Sequence, residues 1–261
     1  MKINLIGKKA LVGGSSQGLG KAIAKELANC GATVTLVSRN KCKLQKVLLE
    51  LPTKFQQKHQ FLEVDYYKFD AYKKIIQEYF KIHTVDILIN NTNGPKGGTV
   101  FDKQIDDYQQ AFDLLFKSVV FTTMEAIKNM KKTGFGRIIN ATSLTVKEPL
   151  EQLVLSNSIR AAVATWAKTL AGQVAPFGIT VNNILTGIFD TERIVELNKL
   201  RAKTQGISYR EVLNSQIESI PIKRLGKPEE YGYLVSFLAS EYASYITGSN
   251  IPIDGGLIKS L

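Results

Sequence analysis

The chain is 261 residues long, 44% hydrophobic and 22% charged, with a formal net charge of +11 at pH 7. A chain of this size buries a core without cross-links, and Cys30 and Cys42 supply neither a disulfide framework nor a metal-binding spacing. The basic balance suits acidic partners such as a phosphorylated cofactor or an acidic carrier protein. Its lysine clusters, such as Lys41-Cys42-Lys43 and Lys131-Lys132, are short and read as solvated faces, so neither nucleic acid nor a membrane is an expected partner.

The first twelve residues form a short apolar stretch broken by Lys8 and Lys9, unlike a signal peptide or a membrane span. With few cysteines as well, a cytoplasmic setting is expected. A first strand over 9–12 runs into Gly13-Gly14-Ser15-Ser16-Gln17-Gly18-Leu19-Gly20, and a helix follows over 21–29. Glycines there allow a tight turn and close backbone approach, and the helix end offers unpaired N–H groups to a pyrophosphate. Gly14, Ser16, Gln17, Gly18, Leu19 and Gly20 are therefore candidate dinucleotide contacts.

A second strand over 33–37 ends in Ser38-Arg39. A site for NAD normally places an acidic residue here, whereas a hydroxyl followed by a guanidinium suits a 2′-phosphate, which favours NADP over NAD. Further apolar β-rich runs lie over 61–64, 86–90, 137–142, 180–185 and 250–253, with helical patterns between them. One such helix steps through Val163, Ala167, Leu170 and Val174 on a single face. The pattern predicts an α/β single domain over 1–261: a doubly wound, parallel, seven-stranded sheet with near-continuous Ile, Leu and Val in its strands. The polar, amphipathic stretch over about 193–220, closed by Pro221, reads as a helical lid or as a plain packed excursion.

With these blocks in place, the chain resembles the short-chain dehydrogenase/reductase family, most closely its 3-oxoacyl-carrier-protein reductase branch. Besides the glycine turn, the likeness rests on Asp65, Asn90-Asn91, Thr142-Ser143 and Thr186-Gly187-Ile188-Phe189-Asp190-Thr191. It continues through Arg224-Leu225-Gly226-Lys227-Pro228-Glu229-Glu230, Ile246-Thr247-Gly248 and Asp254-Gly255-Gly256, so it spans essentially the whole chain. The resemblance implies a Rossmann fold and adds Asp65 (near the adenine), Tyr66, Asn91, Gly187, Ile188 and Thr191 to the cofactor-binding residues. It also implies a homodimer or homotetramer, paired through helices around 103–132 and 156–175 and the last strand. Leu114, Phe116, Val120 and Trp166 on those helices suit core or interface equally.

Two departures are modest: Thr92-Asn93-Gly94-Pro95 replaces an Ala-Gly loop, and Thr186 replaces a proline. Those at the reacting centre are not. Family members use a tyrosine as proton donor, a lysine four residues later that lowers the phenol's pKa, a serine thirteen residues earlier, and an asparagine upstream. Ser143 matches the serine, but Ser156, Arg160 and Leu115 stand at the tyrosine, lysine and asparagine positions. Ser143, Ser156 and Arg160 are thus the candidate catalytic residues, with Ser156 and Arg160 sharing one helix face. Lys147, Glu148 and Glu151 are the nearest replacement donors, while His59 and His83 lie at the wrong end of the sheet.

Three functions fit. The first is an NADP-linked oxidoreductase for a carbonyl or hydroxyl substrate, a small molecule or an acyl thioester. Another is a catalytically silent dinucleotide-binding module, and the last a lyase or isomerase in which Ser143 and Arg160 polarise an oxyanion.

Overall fold

The computed structural model describes residues 2–260. Its strands are β1 (Lys9–Gly13), β2 (Thr33–Ser38), β3 (Gln60–Glu63), β4 (Ile87–Asn90), β5 (Gly136–Ala141), β6 (Ile179–Thr186) and β7 (Asn250–Ile253). All pair in parallel, in the order β3-β2-β1-β4-β5-β6-β7. Every strand end falls within one residue of its sequence expectation, because each apolar run is bounded by glycine or polar residues.

Helices cover both faces. α1 (Gly18–Asn29), α2 (Lys41–Glu50) and α9 (Pro228–Ala239) bury Ile23, Leu27, Leu44, Tyr231 and Val235 against one side. The other side receives α3 (Phe69–Ile82), α5 (Ser118–Thr133) and α6 (Val154–Val174), through Tyr72, Ile76, Met130, Ala167 and Leu170. Before α5, α4 (Ile105–Phe112) passes through a π-turn over Asp113–Lys117, which places Leu114 and Leu115 in the interior. Phe116 meets Trp166 edge to face at 6.2 Å, while Val100, Phe101 and Ile105 are exposed.

The stretch over 193–220 is two helices, α7 (Glu192–Gln205) and α8 (Tyr209–Ser219), packed on each other and joined by Asn198 Nδ2 donating to Gln216 Oε1 at 2.8 Å. Among the described residues, no helix is long and apolar enough to cross a membrane, and no acidic, histidine or cysteine cluster could hold a metal ion.

The strands are not apolar throughout. Asn90, Asn140, Asn183 and Asn250 lie opposite one another on β4, β5, β6 and β7. Each side-chain amide donates to the next oxygen at 2.8 Å, so one directed row crosses four strands. Asn90 also donates to Thr123 Oγ1 of α5 at 3.0 Å. Buried amides are tolerated here because each finds a partner.

Candidate functional site

Strand order reverses between β1 and β4, and a crevice opens at the carboxyl ends of those strands. It is a cleft of about 560 Å³. The glycine turn forms one wall, with Gly14 at φ +58° and Gly18 at φ +53°, a region that disfavours any side chain. A Cβ on Gly20 would lie 2.2 Å from the Gly14 carbonyl oxygen, and one on Gly13 only 2.4 Å from the Asn91 oxygen. Backbone therefore packs on backbone, and Asn91 Nδ2 braces the turn by donating to the Gly13 oxygen at 3.0 Å.

At the start of α1, Gln17 makes no side-chain capping bond, and no acidic residue occupies the first turn. The leading N–H groups and the positive end of the helix dipole are left for an anion. A dinucleotide's pyrophosphate fits this cradle on size, backbone approach and charge.

The neighbouring rim is cationic. Ser16 Oγ and Ser38 Oγ are 2.9 Å apart, tying the turn to the end of β2, and Arg39 beside them is exposed. Asn40 caps α2 by accepting from the Lys43 N–H at 2.9 Å. Lys43 Nζ reaches back to donate to Gln17 Oε1, so a second cation stands at the same rim. The sequence reading of Lys43 as part of a solvated face missed its place at the cleft, although standing three residues after a capping asparagine puts it on the first turn of α2.

Every cofactor contact expected from the sequence lines the cleft except Ile188. The Ile188 carbonyl instead accepts from Gly226 N–H at 2.9 Å, joining the loop after β6 to the segment before α9. Asp65 accepts from the Tyr67 N–H at 3.1 Å, and burial, with Tyr72 alongside, drives the pKa of the half-buried Tyr66 phenol well up. Thr191 caps α7 and rests its methyl group against Gly18.

At the opposite end, the expected catalytic residues separate. Arg160 lines the cleft, but Ser143 and Ser156 do not. Ser143 Oγ caps a short turn over Leu144–Val146, accepting from Thr145 N–H at 3.2 Å and Thr145 Oγ1 at 3.0 Å. Ser156 Oγ accepts from Arg160 Nε at 3.2 Å, as their spacing on α6 allows. Arg160 Nη1 also donates to the Ala141 oxygen at 2.6 Å, at the end of β5.

Desolvation lowers the pKa of the Arg160 guanidinium, and the nearby Tyr231 phenol opposes that shift. Tyr231 is itself fully buried, and its pKa is pushed up to about 12 by burial, against the lowering effects of Thr186 and Arg160. Its hydroxyl lies 3.1 Å from Thr186 Oγ1. Nothing local in the sequence signals this contact, which joins α9 to the end of β6. Leu115 is buried and apolar, so no amide stands at the asparagine position. Next to Ser156, Asn157 Oδ1 is a buried acceptor with no partner.

Of the replacement donors, Glu148 has another role. Glu148 Oε1 accepts from the N–H groups of Lys259 and Ser260, each at 2.7 Å, and these bonds hold its carboxyl below the usual range. His59 spans Val34 N–H and the Pro52 oxygen, and His83 stacks on Tyr79 at 4.6 Å.

The family model described as Enoyl-(Acyl carrier protein) reductase matches residues 14–258. NADPH-dependent reductase BacG of Bacillus subtilis is 32% identical over 259 residues, covering 97% of this chain and 99% of that protein. The 3-oxoacyl-[acyl-carrier-protein] reductase FabG of Aquifex aeolicus is 29% identical over 258 residues, covering 98% and 100%. Among solved structures, L-sorbose reductase from Gluconobacter frateurii, complexed with NADPH and L-sorbose, superposes with a TM-score of 0.93 at 31% identity over the full length of both chains. Fold, glycine turn and whole-length similarity agree: the chain belongs to the short-chain dehydrogenase/reductase family, in its 3-oxoacyl-carrier-protein reductase-like branch.

Proposed function

We propose that the chain binds NADP(H) in this cleft and acts as an oxidoreductase on a carbonyl or hydroxyl substrate, a small molecule or an acyl thioester, with weakened acid catalysis. The observation that carries the reading is the uncapped start of α1 facing a backbone cradle, with Arg39 and Lys43 on the rim beside it. Support for the phosphorylated cofactor also comes from relatives. The Gluconobacter reductase was solved with NADPH, and a 3-oxoacyl reductase from Agrobacterium tumefaciens, 27% identical, was solved with NADP.

In this reading the α1 N–H groups hold the pyrophosphate, and Ser38, Arg39 and Lys43 hold the 2′-phosphate. Bound NADPH supplies the hydride. Ser143 offers its hydroxyl as a hydrogen-bond donor to the substrate oxygen, Arg160 steadies the negative charge there without releasing a proton, and water supplies the proton that completes the alcohol. General acid catalysis commonly contributes about 10²–10⁴-fold, so turnover falls short of that given by the usual tetrad by a factor of this order. α7 lines the mouth through Glu192, Arg193, Ile194 and Glu196 and acts as its lid with α8 packed on it, and the chain works as a homodimer or homotetramer.

A silent dinucleotide-binding module is the second reading, favoured by Ser156 and Leu115 standing where donor and amide are expected. Titrating NADPH and NADH into the purified protein, then following NADPH oxidation with ketones, sugars and an acetoacetyl thioester, tests both. Tight NADPH binding with slow turnover is expected. Tight binding with no turnover on any substrate class selects the silent module, and no binding of either nucleotide removes both readings.

A further inference from the structure

Arg160 is a cation without a counter-ion. Its two assigned hydrogen bonds go to the neutral Ser156 hydroxyl and the Ala141 carbonyl, and the adjacent Tyr231 phenol is neutral as well. No carboxylate lies within 4.0 Å of it among the described residues. The other deeply placed arginine is satisfied differently: Arg137 bonds three backbone carbonyls and sits 3.3 Å from Glu241. A guanidinium carries five N–H groups, so three on Arg160 remain uncommitted at a residue that lines the cleft.

A half-buried guanidinium at the cleft wall with donors unfilled is a ready receptor for an anion. In the family arrangement the corresponding lysine is balanced by a phenol that can ionise, but the hydroxyl of Ser156 cannot. The dinucleotide does not supply the missing anion either, because its pyrophosphate belongs at the α1 end and its ribose hydroxyls are neutral. A planar fork of N–H donors matches a carboxylate in two-pronged fashion.

We propose that Arg160 seats a carboxylate of the substrate, so that the ligand beside the nicotinamide end is an organic acid bearing a carbonyl or hydroxyl group. The proposal rests on the cleft holding NADP(H) as described above. Lys96 and Arg193 also line the cleft, as do the acids Asp65, Glu196 and Glu192, the last near Gly18.

The test uses the full chain saturated with NADP⁺ and titrated with pyruvate and 4-oxopentanoate, each compared with its uncharged amide. Binding of at least one acid about tenfold or more tighter than its amide is expected, together with loss of that preference in Arg160→Met. A second variant, Ser156→Asp, places a carboxylate within the chain against Arg160; it should raise the melting temperature and abolish the preference for the acids. NADP⁺ binding with no preference for either acid overturns the inference while sparing the cofactor reading. Retention of the full preference in Ser156→Asp overturns it equally. Failure of the unaltered protein to bind NADP⁺ removes the cofactor reading first, and this inference with it.

Discussion

The two ends of the cleft are built from different materials. At the α1 end, recognition is made by backbone: left-handed glycines, an uncapped helix start, and an asparagine bracing the turn. At the α6 end, the family's chemistry depends on side chains, and here these are Ser156, Arg160 and Leu115 in an otherwise matching frame of strands. A backbone cradle persists as long as the turn folds, because it needs only small residues and a helix. A proton donor disappears with one substitution. Binding and chemistry are therefore separable in this fold, and the chain keeps the geometry of the first while altering the second.

The severest way to break this contrast is Gly20→Val. Its Cβ would collide with the Gly14 carbonyl, so NADPH binding, followed by nucleotide fluorescence, should vanish, with the fold destabilised by about 1–3 kcal/mol. The α6 end is probed in the opposite direction by Ser156→Tyr combined with Arg160→Lys and Leu115→Asn. Steady-state turnover should rise by about 10²–10⁴-fold while NADPH affinity stays within a few-fold. An unchanged rate would mean that the frame at this end no longer supports the family reaction. Next in size, Arg39→Ala should narrow the preference for NADPH over NADH by about tenfold or more, the value of a charge-assisted contact, and Lys43→Ala by a smaller factor. Parallel titrations with the two nucleotides read both.

Legibility in the sequence followed the same division. Glycine spacing and strand-flanked hydroxyls are local, so residues that line the α1 end of the cleft could be named in advance, and counting from Ser143 led to Arg160 on the cleft wall but to Ser156 off it. What escaped were contacts set by packing. The meeting of Tyr231 with Thr186 depends on how α9 lies against β6, and Glu148 is removed from the donors only because Lys259 and Ser260 return to it. The asparagine row was hidden because each strand was read by itself, whereas the row exists only in the register between strands.

The smallest expected effect belongs to that Glu148 clasp. Its carboxyl titrates below the usual range in the folded chain, so its contribution is present above the ordinary carboxylate pKa and is lost as pH falls through the lowered value. Glu148→Gln should speed amide hydrogen exchange at Lys259 and Ser260 near neutral pH without affecting NADPH binding. In the unaltered protein, the protection of these two amides, taken relative to their intrinsic exchange rate at each pH, should fall only on acidification.

The directed row of asparagines has a consequence for how the molecule can change over time. A slip of β5 or β6 by one residue would strand two amides at once, so the row acts as a key that holds the phase of four neighbouring strands. Residues at the mouth can then be exchanged without the floor shifting beneath them. Such a chassis lets new chemistry be tried by mutation at little risk to the scaffold that carries it.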